Sequence, residues 1–119
     1  MKLEVLHCQA SAAPVPGRPP LLFIHGSFCG AWVWAEYFMP YFARAGYPCE
    51  AVSLRGHGAS EGHAALAEAS LADFLDDAES ALRQMSAPPV VIGHSMGGAV
   101  AQYLASRRPV AGLALLGSV

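Results

Sequence analysis

Gly93-His94-Ser95-Met96-Gly97, followed by Gly98, is the stretch whose residue types and spacing point to chemistry. It stands between the apolar run Val90-Val91-Ile92 and a helix-forming segment, so Ser95 falls where a buried strand must turn sharply into a helix. Such a turn forces the serine backbone into a strained conformation that lifts its hydroxyl clear of the sheet. Glycines at 93 and 97 remove side chains that would collide there. A hydroxyl so placed attacks a carbonyl carbon, which makes Ser95 the candidate nucleophile. The backbone N–H of Met96, at the start of the helix, faces the oxyanion that forms, and the helix dipole adds positive potential. The second donor this chemistry needs is expected from His25-Gly26-Ser27-Phe28, which leaves another buried strand: the amide of Ser27, with that of Phe28 as the alternative. Losing one such donor costs roughly a hundred- to a thousandfold in rate.

The remaining titratable groups are weaker candidates. The five histidines are His7, His25, His57, His63 and His94, and no Asp, Glu or His follows Ser95. His63 sits in an exposed polar stretch, and the turn should point His94 away from the Ser95 hydroxyl. Asp73, Asp76, Asp77 and Glu79 suit a solvated helix face, and Arg107-Arg108 a solvated helix end complementing the dipole. Trp32, Trp34, Tyr37 and Phe38 either line an acyl pocket or pack as core.

The elements that must hold these residues follow from pattern. Residues 1–8 alternate as an edge strand, with Leu3 and Val5 on one face. Residues 9–20, rich in proline (Pro14, Pro16, Pro19, Pro20), form a loop. Leu21–Ile24 is a strand covered on both faces. Helical spacing runs from 31 to 45, broken at Pro40 and stopped by Gly46. A strand over 48–54 leads into the Arg55-Gly56-His57-Gly58 turn. Ser70 and Asp73 form a capping box for a helix whose apolar stripe is Leu71, Phe74, Leu75, Ala78, Leu82 and Met85. Val90–Ile92 is a buried strand, 96–107 a helix stopped by Pro109, and 110–116 a further covered strand. Strands alternating with helices predict an α/β chain, a mostly parallel sheet with helices on both faces.

Composition narrows the class. The chain has 119 residues, 54% apolar and 13% charged, with a formal net charge of −2. One core is feasible at this size, so residues 1–119 are expected to form a single, partial domain. No basic excess is present to meet a phosphate backbone, so nucleic acid is not an expected partner. No apolar run reaches the length of a membrane helix, and the start is charged, so a soluble, cytoplasmic chain is expected. Cys8, Cys29 and Cys49 lack CxxC pairing, which points to free thiols.

From Leu21 to Leu116 the chain resembles the amino-terminal half of an α/β-hydrolase. The resemblance is carried by Leu22-Phe23-Ile24-His25-Gly26, Gly30-Ala31-Trp32-Val33-Trp34, Leu54 to Ser60, Gly93 to Gly98 and Leu113 to Ser118. These occur in that order in serine esterases and lipases of this fold. The Arg-Gly-His-Gly turn and the elbow are similar to monoacylglycerol-lipase and lysophospholipase types, and Gly-Ala-Trp-x-Trp to plant methylesterases and hydroxynitrile lyases. Ser53 stands where the family usually has a structural Asp. The resemblance gives His25 and His57 a loop-bracing role, and it places a catalytic acid and then a histidine after the nucleophile, where this sequence has neither.

The resemblance implies a serine hydrolase acting on a small or lipid-like carboxylic ester through an acyl-enzyme, truncated before its base and acid and before any cap, with no cofactor or metal. One alternative is a non-catalytic remnant that pairs with another chain, or with itself, through its exposed last strand. Another is a C–C hydrolase or hydroxynitrile-lyase activity on the same elbow.

Overall fold

The computed structural model describes residues 1–11 and 16–119, so part of the loop expected over 9–20, with Pro14, lies outside the described residues. Five strands form one sheet: β1 (Val5–Cys8), β2 (Leu21–Ile24), β3 (Cys49–Val52), β4 (Val90–His94) and β5 (Gly112–Leu116). Their spatial order is β1-β3-β2-β4-β5, with β1 antiparallel to β3 and every other pair parallel. The helices are α1 (Trp32–Ala35), α2 (Phe38–Arg44), α3 (Leu71–Arg83) and α4 (Met96–Arg107), with a 3₁₀ segment over His63–Glu68. The expected α/β architecture is present.

The unbroken apolar run of β2 is explained by cover on both faces. Leu22 and Ile24 join Val52, Val91, Phe74, Leu75, Ala78 and Leu104 in the core under α3 and α4. Leu21 and Phe23 join Ala51, Ile92, Trp34 and Met39 in the core under α1 and α2. Phe23, Leu22 and Ile24 are fully buried, and each contributes about 1.5–3 kcal/mol relative to an exposed side chain. The capping box of α3 forms in both directions: the Asp73 amide donates to the Ser70 hydroxyl at 3.2 Å and the Ser70 amide to the Asp73 carboxylate at 2.9 Å. Helix α4 covers the residues its pattern predicted.

Four expectations need correction. The helical stretch after Ala31 is interrupted at Glu36 and Tyr37, before Pro40. Pro40 is the third residue of α2, where a backbone N–H has no intrahelical acceptor, so the ring is tolerated. Leu71, placed on the apolar stripe, is exposed at the first turn of α3. The acidic face of α3 is only partly solvated: Asp77 and Glu79 are buried, because Arg55 pairs with the first and Arg83, Arg107 and Arg108 with the second. Arg107 and Arg108 are therefore clamps between α4 and α3 rather than a free helix end. Finally, β5 lacks the expected cover and shows the open edge of the alternative reading: among the described residues it pairs with β4 alone, and Leu113, Leu115 and Leu116 are 38–41% exposed.

Candidate active site

Ser95 occupies the single residue between the last position of β4 and the first of α4, with φ 54° and ψ −121°. This is a conformation that non-glycine residues avoid, and it costs on the order of 1–3 kcal/mol. The surroundings hold it there. Its amide donates to the Leu116 carbonyl at 3.1 Å, and its own carbonyl accepts from the amides of Gly98 (2.9 Å) and Val119 (3.3 Å). The hydroxyl does not cap the helix it precedes. Both flanking glycines are sterically required: a Cβ on Gly93 would collide with the Gly97 carbonyl, and one on Gly97 with the carbonyls of Ile24 and His25.

The second predicted segment meets the first because β2 and β4 are neighbours in register, Ile24 opposite Gly93. Both strands therefore end at one edge of the sheet. Gly26 lies so close to the turn that a Cβ there would stand 3.2 Å from Ser95 Cβ and 3.2 Å from His94 Nδ1. One residue further on, the Ser27 hydroxyl donates to the Met96 sulfur at 3.4 Å. Phe28 follows with a positive φ of 62°. Among the described residues, the amides of Ser27, Phe28 and Met96 donate to no protein acceptor. The structure thus gathers Ser95, Met96 and Ser27, three residues from segments about seventy positions apart.

A hollow of about 430 Å³ opens beside these residues, lined by Ser27, Phe28, His57, Leu66, Ala67, Ala69, Phe74 and Met96. No Asp, Glu, Lys or Arg lines it. Trp32, Trp34, Tyr37 and Phe38, the sequence candidates for an acyl pocket, are absent from its wall: Trp34 is core, and the other three face solvent. The pocket wall comes instead from the loop after β2, His57, the 3₁₀ segment, Phe74 of α3 and Met96 at the start of α4. Leu66 was legible only as one apolar residue in an alanine-rich stretch, and nothing in the local pattern marked it.

The histidines are placed as follows. His25 is fully buried, its Nδ1–H donating to the Gly26 carbonyl at 2.6 Å and its Nε2 accepting from the Leu54 amide at 3.0 Å. Those two partners fix one neutral tautomer. Burial, more than any neighbouring charge, lowers its pKa to about 4. His57 is buried 4.9 Å from the His25 ring centroid and hydrogen-bonds the Arg55 carbonyl. His7 pairs with Glu50 at 2.8 Å on the β1 edge, His63 lies 3.0 Å from the Gly58 carbonyl, and His94 is exposed at the end of β4. Cys8, Cys29 and Cys49 are unpaired, and burial pushes the Cys49 thiol up to about 12.

Beneath the site, Ser53 does positional work in place of a carboxylate. It is fully buried, accepts the Ala31 amide at 2.9 Å and donates to Glu4 Oε1 at 2.7 Å; the Ser60 hydroxyl donates to its carbonyl at 2.5 Å. The Arg55 side chain clasps Asp77 through two bonds of 3.0 and 2.8 Å, fixing the turn to α3.

The family model of the alpha/beta hydrolase fold matches residues 19–119. The chain belongs to the alpha/beta hydrolase family. It is 37% identical over 119 residues to the lipase LipV of Mycobacterium tuberculosis, covering 93% of this chain and 41% of that protein. It is 34% identical over 98 residues to protein phosphatase methylesterase 1 of Bos taurus, covering 80% of this chain and 26% of the relative. Among solved structures, the thioesterase domain from the curacin biosynthetic pathway superposes with a TM-score of 0.77 at 27% identity, over 99% of this chain and 47% of that one. A thermophilic esterase gives 0.69 at 26% identity, over 98% and 45%. The chain therefore spans between a quarter and a half of the length of these alpha/beta hydrolases. No helix among the described residues is long and apolar enough to cross a membrane.

Proposed function

We propose that this alpha/beta hydrolase is the nucleophile-bearing part of a serine ester hydrolase. Ser95 attacks the acyl carbon, the amides of Met96 and Ser27 hold the oxyanion, and water later releases the acid from the acyl-enzyme. The observation that carries the reading is the strained backbone of Ser95 set against the unbonded amides of residues 96 and 27. The uncharged wall of the neighbouring hollow favours a neutral, apolar ester, in keeping with the lipase and esterase names among its relatives. Residues 96–119 contain no group able to take the serine proton, and His25 is committed to two backbone partners. In this reading His57, whose Nδ1 is held by the Arg55 carbonyl, braces its turn, and the base and acid come from outside these 119 residues, as the family order of nucleophile, acid and histidine implies.

The test is hydrolysis of short-chain p-nitrophenyl esters, with labelling by a fluorophosphonate, by the intact protein and its Ser95→Ala variant. Loss of both signals in the variant supports the assignment; equal rates would remove it.

A second reading is favoured by one observation, the open edge of β5. A chain of these residues alone pairs through that edge with another strand, its own copy included, and has no turnover. Sedimentation of the 119-residue chain separates the two: a monomer with no tendency to associate would count against this reading.

A further inference from the structure

Cys8 and Cys49 stand directly opposite each other in the antiparallel pairing of β1 with β3. Opposite residues project to the same face of a sheet, and both side chains pack in the core under α1 and α2, Cys49 buried and Cys8 half-buried. The far end of the ladder fixes its phase. There the Ser53 amide donates to the Glu4 carbonyl at 2.9 Å, so Glu4 and Ser53 form a hydrogen-bonded pair and, by alternation, so do Cys8 and Cys49. Such a pair holds its Cα atoms about 5.5 Å apart, inside the span of about 4.4–6.8 Å that a disulfide bridges. Side chains do meet across this part of the ladder: one step away, on the other face, His7 Nδ1 stands 2.8 Å from Glu50 Oε1. Cys8 is also the last residue of an edge strand, so little opposes the small inward shift that a bond requires.

Both sulfurs are open to a small reagent, because both cysteines contribute to the wall of a hollow of about 340 Å³ at the rim where Pro20 and Pro48 lead into β2 and β3. Cys29 follows the opposite end of β2, so it is no rival partner. We propose that Cys8 and Cys49 form a reversible redox site, which closes into a cross-strand disulfide by exchange with a small disulfide of the glutathione type. Cys8, the more open of the two, attacks as a thiolate one sulfur of the reagent and expels the other as a thiolate. Cys49 then gives up its proton and attacks the Cys8 sulfur, expelling the second thiolate. The two cysteines lose two electrons, the reagent's disulfide gains them, and the two protons end on the released thiols. Burial, and after it the neighbouring Cys8, raises the Cys49 thiol to about 12, which suits it to the closing step rather than the opening one. In closing, Cys49 gives up weak thiol bonds to the carbonyls of Tyr47 at 3.4 Å and Met39 at 3.7 Å. The bond staples β1 to β3, and so secures the strand next to Glu4, whose carboxylate accepts from Ser53. Both sulfurs belong to this chain, so the bond needs no residue from outside it. The proposal does not rest on the ester-hydrolase reading, because the pair lies at the rim of the sheet away from Ser95.

The experiment equilibrates the intact, folded protein with glutathione disulfide, alkylates the remaining thiols with iodoacetamide and maps the peptides by mass spectrometry. Cys8 and Cys49 are expected in one linked peptide, with Cys29 alkylated, and dithiothreitol should restore both thiols. The linked form should unfold at a higher urea concentration than the reduced form. Cys8→Ser, at the end of an edge strand, should leave Cys49 unlinked and the urea midpoint indifferent to the reagent. Retention of both thiols in the folded parent overturns the proposal. So does a lasting glutathione adduct on Cys8 with Cys49 still free, or a disulfide between two copies. A linked form that unfolds no later than the reduced one also overturns it, as does a midpoint shift that persists in Cys8→Ser.

Discussion

The Nε2 of His25 accepts the amide hydrogen of Leu54 at 3.0 Å, so the loop leaving β2 is tied to the turn leaving β3 through one buried imidazole. That bond exists only while the ring is neutral. The brace therefore makes the segment carrying Ser27 sensitive to pH.

The folded-state pKa of His25, about 4, lies below its ordinary value of 6.5. Unfolding therefore takes up a proton between those values. Stability is full above about pH 6.5 and falls as the pH drops towards 4, by about 3 kcal/mol from this group. Urea unfolding across that range should show the loss, and His25→Gln should flatten it while lowering stability at neutral pH.

Gly97→Ala places a methyl group against the carbonyls of Ile24 and His25, which are backbone atoms with nowhere to go. Overpacking of this kind costs about 1–3 kcal/mol. The substitution should also push the β2 loop away from the Ser95 turn, so serine-probe labelling should fall further than stability does. Unchanged labelling in a folded Gly97→Ala protein would contradict the close packing described here.

Ser53→Ala leaves the buried Ala31 amide without its acceptor and takes from Glu4 Oε1 one of two donors, the Ala59 amide remaining. The expected cost is about 1–3 kcal/mol in chemical denaturation. Ser53→Asp should be worse than Ala, because it sets a second carboxylate against Glu4, and Ser53→Asp with Glu4→Gln should recover most of the difference.

Glu79 is held down to about 2, below its ordinary 4.5, first by the hydrogen bond from Arg108 and then by that from Arg83. Its stabilising effect is present above about pH 4.5 and is lost as the pH falls through 2. This acid step lies below the one due to His25. Glu79→Gln should abolish it and lower the melting temperature at pH 7 by loosening α3 from α4.

Much of this was legible in the sequence where local chemistry decides the outcome. The glycines around Ser95 predicted the turn, the Ser70–Asp73 pair predicted a helix start, and the apolar run of β2 predicted cover on both faces. What escaped depends on partners distant in the chain. Glu4 looked like the polar side of an edge strand, yet it bonds Ser53, 49 residues away. Glu79 looked solvated because its arginines at 107 and 108 come from another helix. The break before α2 was misplaced because proline disrupts a helix only after its first turn. Strand β5 has the composition of a covered strand, and its lack of a neighbour beyond β4 among the described residues matches the exposed last strand of the alternative reading rather than its apolar pattern. The Ser95 site was readable from its turn, whereas its pocket wall, built by Leu66 and Phe74, was not.

The sheet order sets how long each amide keeps its hydrogen in deuterated solvent. Strands β2 and β4 are flanked on both sides, so the amides of Phe23 and Ile92 should exchange only through global opening, whereas β1 and β5 lie at the rims and should exchange sooner. The Ser95 turn and the Ser27 loop both spring from the slow pair. Fraying of β1 leaves those two segments aligned, whereas fraying of β5 releases the Leu116 and Val119 bonds that hold the backbone of residue 95, so the two margins of the sheet are not equivalent.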